Sequence, residues 1–312
     1  MDKSEARCAV IGAANIDIGG FPTGLAAMGD SNPGRIRVSA GGVGRNIACN
    51  LARLGVETHL VTALGGDIFV EAVRADCAAA GVHLDHALTF PAAPSSAYLF
   101  IADAAGEMRL AVNDMSICEM LTPEALAPLI DWLNTMDLVV LDANLPPETL
   151  VYLGESLHTP LLADAVSAAK VHRLLPLLPR LWALKPNALE AAALTGLPVS
   201  DNAAVAAAAR RLRDMGLRRA FITLGERGVC RMEDGNVQFI PGAPVRLVNA
   251  TGAGDAFTAA LAWAMLRGLA PHETALAGLA AAATAVESPA TVSAELNENA
   301  IIERMQTMKD SM

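Results

Sequence analysis

The run Asn249-Ala250-Thr251-Gly252-Ala253-Gly254-Asp255-Ala256-Phe257 opens an Ala-rich helical segment that extends to about Arg267. Glycines and a small residue ahead of a helix leave the first-turn backbone N–H groups without partners. Those donors, aided by the helix dipole, make a site for an anion such as phosphate. Asp255 stands at the rim of that site. A carboxylate there repels an anionic guest, so it does not serve simple anion binding; it suits a base that takes the proton of a hydroxyl attacking phosphorus. The stretch therefore implies phosphoryl transfer, with a plain helix cap as the competing explanation. The helix start also predicts a weakly basic Asp255 that accepts its proton late in the transfer.

Other polar residues fall where a ligand could meet them. Gly41-Gly42-Val43-Gly44-Arg45-Asn46 leads into an amphipathic segment with Ile47, Leu51 and Leu54, closed by Gly55. Its glycines permit close backbone approach, and Asn46 offers both a donor and an acceptor to hydroxyls. Asp17, Asp142, Asn144, Asp164, Lys185, Asn187, Thr223 and Gly225 fall at the predicted carboxyl ends of successive strands, where open α/β sheets bind ligands. Asn187 and Glu190 lie one helical turn apart and either hold a hydrated magnesium ion or form a capping box. Thr223-Leu224-Gly225-Glu226-Arg227-Gly228 offers a hydroxyl and backbone donors to nucleotide phosphates, as a plain β-turn also would.

The elements that must position these residues follow from periodicity. Residues 8–12 predict a buried strand, and 35–39 an exposed strand within a Gly/Pro-rich segment spanning 19–40. Strand 58–63, helix 68–80 and a strand from about 84 come next. Residues 96–102 and 108–112 predict a hairpin around a loop containing Gly106, which with 35–39 makes a small lid sheet. From 121 onward helices at 123–133, 147–153, 169–178, 187–194 and 202–215 alternate with strands at 138–141, 161–163, 181–184 and 220–224. Hairpin pieces follow at 229–232 and 237–240. This order predicts an α/β fold with a mainly parallel sheet.

Composition narrows the function. The 312 residues are 53% apolar but only 4% aromatic, which suits a helix-covered sheet and leaves Phe21 and Tyr98 as the rings nearest the lid. A net charge of −10 without a long basic run argues against nucleic acid or an anionic membrane as partner. No apolar run spans a bilayer and Asn15 and Asp17 interrupt any leader, so a cytoplasmic protein is expected. Five scattered cysteines and six histidines show no ligand spacing; the cysteines read as core fillers and the histidines as surface or packing residues.

Together the motifs resemble the ribokinase-like (PfkB-type) carbohydrate and nucleoside kinases over nearly the whole chain. Two signatures carry the resemblance, Gly41-Gly42-Val43-Gly44-Arg45-Asn46-Ile47-Ala48 and Thr251-Gly252-Ala253-Gly254-Asp255-Ala256-Phe257, at the family's spacing. The runs at 11–17, 30–34, 112–115, 164–167 and 184–190 are most similar to a branch that phosphorylates a C-nucleoside. The resemblance implies a three-layer α/β/α domain over 1–312 with a β lid from about 13–40 and 95–113, and transfer of the ATP γ-phosphoryl to a ribose 5′-hydroxyl. By that resemblance Asp255 is the base, and Gly252, Ala253 and Gly254 form the anion hole. Asp17, Gly42, Asn46 and Asn15 grip the ribose, while Asp30, Ser31, Asn32, Asn113 and Lys170 are candidates for reading the base. Asn187, Thr223, Gly225, Gly228 and Thr251 hold the nucleotide, and Glu190 with Asn187 associates with magnesium through water. ATP and Mg2+ are the implied cofactors, joined by K+, although Asn249 stands where ribokinase carries an Asp. Apart from the resemblance, lid strands with one polar face can pair between two subunits, so a homodimer through the lid is an expectation. The other readings are a kinase for ribose or an ordinary nucleoside such as uridine, and a non-catalytic sugar or nucleotide sensor.

Overall fold

The computed structural model describes residues 6–25, 27–103 and 108–311; the expected loop containing Gly106 lies outside the described residues, as do residues 1–5. The strands among them are β1 (Arg7–Ile11), β2 (Asn15–Pro22), β3 (Gly34–Gly41), β4 (Glu57–Val61), β5 (Ala63–Leu64), β6 (Val82–His83), β7 (Leu88–Thr89), β8 (Ala97–Ala102), β9 (Met108–Asp114), β10 (Leu138–Asp142), β11 (Leu161–Asp164), β12 (Leu181–Lys185), β13 (Arg219–Thr223), β14 (Val229–Glu233) and β15 (Asn236–Ile240). Nine form one sheet in the order β15-β14-β13-β12-β11-β10-β1-β4-β6. It is parallel from β6 to β13, and only β14 and β15 run antiparallel.

Side-chain alternation divides each central strand between two cores. Cys8 and Val10 face the helices Val43–Arg53, Ala253–Leu266 and Pro271–Val286, whereas Ala9 and Ile11 face the layer containing Pro147–Ser156 and Asn202–Asp214. Leu138 and Val140 against Val139 and Leu141 repeat the division. Such strands are covered on both faces, which is why they read as unbroken apolar runs. Full burial of each Leu or Val contributes about 1.5–3 kcal/mol. From β1 the chain proceeds to β4 and β6 on one side and later returns to β10 on the other. The strand order therefore reverses between β1 and β10, which places a crevice at their carboxyl ends.

A separate four-stranded sheet has the order β3-β2-β8-β9. The expected lid sheet is present, but β2 intervenes between β3 and the β8–β9 pair, so residues 15–22 are strand and not Gly/Pro-rich loop. The reason is packing. A side chain on Gly19 would strike the Phe100 ring and one on Gly20 the Ile101 side chain, so the glycines that weaken the strand signal make room for large cross-strand neighbours.

Three expected helices or strands also differ. Residues 171–180 form a 3-10 helix, because Pro176 and Pro179 cannot donate in an α-helix. The helix expected at 123–133 is interrupted by a 3-10 turn at Ala127–Leu129 that contains Pro128. The strand expected at 58–63 divides, with Ala63–Leu64 leaving the large sheet to pair with Leu88–Thr89.

Candidate active site

Gly252 adopts φ +85°, the left-handed conformation that a side chain resists, and a Cβ there would strike the Thr291 carbonyl. The turn it makes ends the loop and starts the Ala253–Leu266 helix, with no side chain capping the first-turn N–H groups. The bare helix start expected from the sequence is therefore present, and Asp255 lies in its first turn. Opposite it, Gly42 at φ +99° starts the Val43–Arg53 helix and passes so close to Ala13 and Ala14 that a Cβ would collide with their backbone.

These two helix starts meet. Asn46 Nδ2 donates to Asp255 Oδ2 at 2.7 Å, and Asn46 Oδ1 accepts from Arg45 Nη1 at 2.6 Å. Asp17 stands close by in β2, with Asn15 Nδ2 donating to its Oδ1 at 2.7 Å and its carboxyl against Gly41. Asp17 does follow β1, which lies mid-sheet as expected, but it is itself held in β2 of the small sheet. Burial raises its pKa, opposed by the Asn15 hydrogen bond and the Arg45 charge.

Beneath Asp255 lies a group of buried charges at the strand ends. Asp164 at the end of β11 accepts from Lys185 Nζ at 2.9 Å and from Thr258 Oγ1 at 2.6 Å. Asp142 at the end of β10 accepts from the Ala13 and Asn144 amides, each at 2.9 Å. Burial pushes the Asp142 carboxyl up, against those hydrogen bonds, and the Asp164 charge adds to the rise. Burial alone depresses Lys185, but Asp164, Glu190 and Asp255 outweigh it and hold it above its ordinary value. Gly254 leaves space for this ammonium, since a Cβ there would lie 3.0 Å from Lys185 Nζ.

Asp255 itself is pushed up to about 7, by burial first and then by the Asp164 and Asp142 charges, against the Asn46 hydrogen bond and Lys185. It keeps partial exposure. The weakly basic Asp255 expected from its place at a helix start is corrected. A helix terminus contributes about 0.3–1 kcal/mol to a nearby charge, whereas desolvating a carboxylate costs several kcal/mol. Burial prevails, and the Asp255 carboxyl is held well above the ordinary carboxylate range.

On the far side of the crevice, Asn187 and Glu190 form the capping box: Asn187 Oδ1 accepts from the Glu190 amide at 2.9 Å, and Glu190 Oε2 from the Asn187 amide at 2.7 Å. Asn187 Nδ2 also donates to Glu190 Oε1 at 2.9 Å. Burial raises the Glu190 pKa, opposed by Lys185 and Asn187. Asn187 bridges to Thr223, whose turn is closed by the Gly228 amide donating to the Gly225 carbonyl at 3.0 Å. Thr251 is exposed, and its amide donates to Asn249 Oδ1 at 3.0 Å.

The base-reading candidates divide. Asn113 pairs across the sheet with Tyr98 and Tyr98 with Asp17, so all three share one face of the small sheet. Phe21 and Phe100 lie on the same face, ring to ring at 5.8 Å. Lys170 Nζ donates to Asn144 Oδ1 at 2.6 Å, in the turn beyond the end of β10. Asp30, Ser31 and Asn32 are exposed and bonded among their own loop: the Ser31 amide donates to Asp30 Oδ1, and Asn32 Oδ1 accepts from the Ala27 amide. Among the described residues no hydrogen bond or ion pair joins them to Asp17 or Asp255.

The sequence left Phe100 without a role and gave none to Arg45, although Arg45 lies inside the first signature. It also gave no role to Val166, a β-branched residue at φ +63° two residues beyond Asp164, pinned by its amide on Asp164 Oδ1 at 2.9 Å. Such strain persists only where the surroundings enforce it. All five cysteines are buried and free, and His59, His83 and His86 cluster with Trp132, consistent with packing roles. Among the described residues no helix is long and apolar enough to cross a membrane.

Comparison with known proteins agrees with this architecture. The pfkB family carbohydrate kinase pattern matches residues 5–298, and the chain belongs to that family. Pseudouridine kinase of Escherichia coli (strain K12) is 36% identical over 262 residues, 83% of this chain and 84% of that protein. An uncharacterised sugar kinase of the same strain is 34% identical over 281 residues, 88% of this chain and 77% of that protein. A carbohydrate kinase structure from Agrobacterium tumefaciens superposes with a TM-score of 0.86 at 32% identity, covering 96% of this chain and 97% of that one. Ribokinase from Arabidopsis thaliana, complexed with ribose and ATP, superposes with a TM-score of 0.86 at 22% identity, covering 97% and 99%, and shows the shared fold. The chain is thus a ribokinase-like kinase of the sugar and nucleoside class.

Proposed function

We propose that this kinase transfers the γ-phosphoryl of ATP to the ribose 5′-hydroxyl of pseudouridine, giving pseudouridine 5′-phosphate and ADP in pseudouridine breakdown. The observation that carries the kinase chemistry is the 2.7 Å bond joining Asn46 to Asp255 beside an uncapped helix start. It gathers a hydroxyl-binding amide, a base and an anion site within one crevice. The substrate rests on the likeness to pseudouridine kinase and on the rings facing Asp17.

Asp17, Asn15, Gly42 and Asn46 orient the ribose. The 5′-oxygen attacks phosphorus, the bond from phosphorus to the β–γ bridging oxygen breaks, and the hydroxyl proton passes to Asp255. The N–H groups of Gly252, Ala253 and Gly254, with Lys185 behind them, receive the charge of the moving phosphoryl. Thr223, Gly225, Gly228, Asn187 and Thr251 hold the nucleotide. Phe21, Tyr98 and Phe100 offer π-faces to a base, Asn113 and Lys170 offer polar atoms to its edge, and the small sheet acts as the lid that excludes water. Glu190 and Asn187 fit a hydrated Mg2+: both Glu190 oxygens accept from Asn187, which fixes the carboxylate, and their remaining lone pairs can accept from the ion's water. When bound with ATP, Mg2+ supplies charge neutralisation on the phosphate oxygens. K+ would meet only neutral oxygens at Asn249, where ribokinase carries an Asp, and its place beside Mg2+ rests on the resemblance alone.

The opposite face of the small sheet leaves Ile36, Val38, Leu99, Leu110 and Val112 exposed, which supports a homodimer through that face. Incubating the protein with MgATP and pseudouridine, uridine, ribose or deoxyribose tests the substrate. Preferred turnover of pseudouridine is expected. Turnover of another member alone overturns the substrate and spares the kinase, and turnover of none favours a sensor.

A further inference from the structure

Asn46 is an amide, and an amide can face a carboxylate with its nitrogen or, wrongly, with its oxygen. What decides the matter is the residue before it. Arg45 has only donors, so the guanidinium that reaches Asn46 Oδ1 at 2.6 Å compels the amide to present oxygen to Arg45 and nitrogen to Asp255. Arg45 is itself held on three further sides. Its Nη1 donates to the Ala40 carbonyl at 3.1 Å, its Nη2 pairs with the Asp76 carboxylate, and its backbone amide donates to the Ala13 carbonyl at 3.0 Å. The guanidinium is almost wholly buried, whereas Asp76, on the Val70–Ala80 helix, is half exposed.

We propose that Arg45, anchored by Asp76, is a positioning residue that fixes the Asn46 amide so that Asp255 always receives a donor on one oxygen and keeps the other free for the substrate hydroxyl. The inference rests on the kinase reading above and adds a part to it: a chain of Asp76, Arg45, Asn46 and Asp255 that runs from the protein surface to the reacting centre. Its physical content is the removal of a wrong rotamer. With Arg45 gone, the amide turns freely, its oxygen can face Asp255, and two acceptors in contact favour the protonated, inactive carboxyl. The groups facing Asp255 from other elements, Asp164 on β11, Asp142 on β10 and Lys185 on β12, are unchanged by that loss and cannot substitute for it, because none of them touches the Asn46 amide oxygen.

Arg45→Ala is expected to lower kcat roughly 10- to 100-fold, with a smaller change in KM, and to move the acid limb of the kcat/KM profile to higher pH. Arg45→Lys should recover part of the rate, and Asp76→Asn, at a half-exposed position, should give the same direction of change to a smaller extent. Titration of the Asp255 carboxyl by 13C NMR in wild type, Asp76→Asn and Arg45→Lys reads the same shift without turnover, so it applies even if Arg45→Ala fails to fold. Arg45 variants that titrate Asp255 at the wild-type pH and retain wild-type kcat overturn the proposal. So does a lower kcat with the acid limb unmoved. A wild type that phosphorylates no alcohol overturns the kinase reading instead, and the carboxyl titration then still decides the positioning role.

Discussion

Asn46 and Asp255, 209 residues apart in the chain, meet through a hydrogen bond of 2.7 Å between the starts of two helices. Each helix starts at a glycine with positive φ, and the two starts converge over the carboxyl ends of β1 and β10–β12. The bond joins the part of the site suited to hydroxyls to the part suited to phosphate. It also stabilises the ionised form of Asp255, the form able to take a proton.

The pH dependence follows from the elevated pKa of Asp255. A base works when ionised, so kcat/KM for the alcohol substrate, measured at saturating MgATP, is expected to rise with pH and level off with a midpoint at about 7. A profile flat from pH 5 to pH 8 contradicts a base in this environment.

Gly252 gives a second expectation. Its φ of +85° and the Thr291 carbonyl behind it leave no place for a methyl group. Gly252→Ala should lose about 1–3 kcal/mol of stability in urea denaturation. Because relief of that strain moves the first-turn N–H groups, kcat should fall further than the loss of folded protein explains. A variant with wild-type stability and rate would show that the turn does not depend on glycine.

Much of the main sheet was legible because burial on both faces writes strands such as 138–141 and 161–163 as apolar runs between helical patterns. β2 was not, since Gly19 and Gly20 serve bulky neighbours on β8 that no local pattern reveals. Pro176 and Pro179 carried a signal for the 3-10 helix that apolar periodicity masked. In the site, the glycine-led helix starts and the polar strand ends were legible because each is a local arrangement. That Asn46 and Asp255 serve one site came from resemblance, not from spacing, and the bond between them was not expected. The raised pKa of Asp255 depends first on burial and then on Asp164 and Asp142 arriving from other strands, none of which a reading of the helix start alone could supply. Arg45 went without a role because its task is to hold the residue beside it, and its anchor Asp76 lies in a different helix.

The most direct measurement of the central claim is the steady-state kinetics of Asp255→Asn, which keeps the shape of the side chain and removes its basicity. The raised pKa of the wild-type acid means that its neutral form is the stabilising one: that contribution is complete below the ordinary carboxylate range and is lost as pH rises through about 7. The variant should therefore melt no lower than wild type at pH 8. It should also bind nucleoside and ATP as the wild type does, while kcat falls on the order of a thousandfold or more. Equal losses of binding and turnover, or a kcat close to that of the wild type, would contradict the account and leave Asp255 with a structural role only.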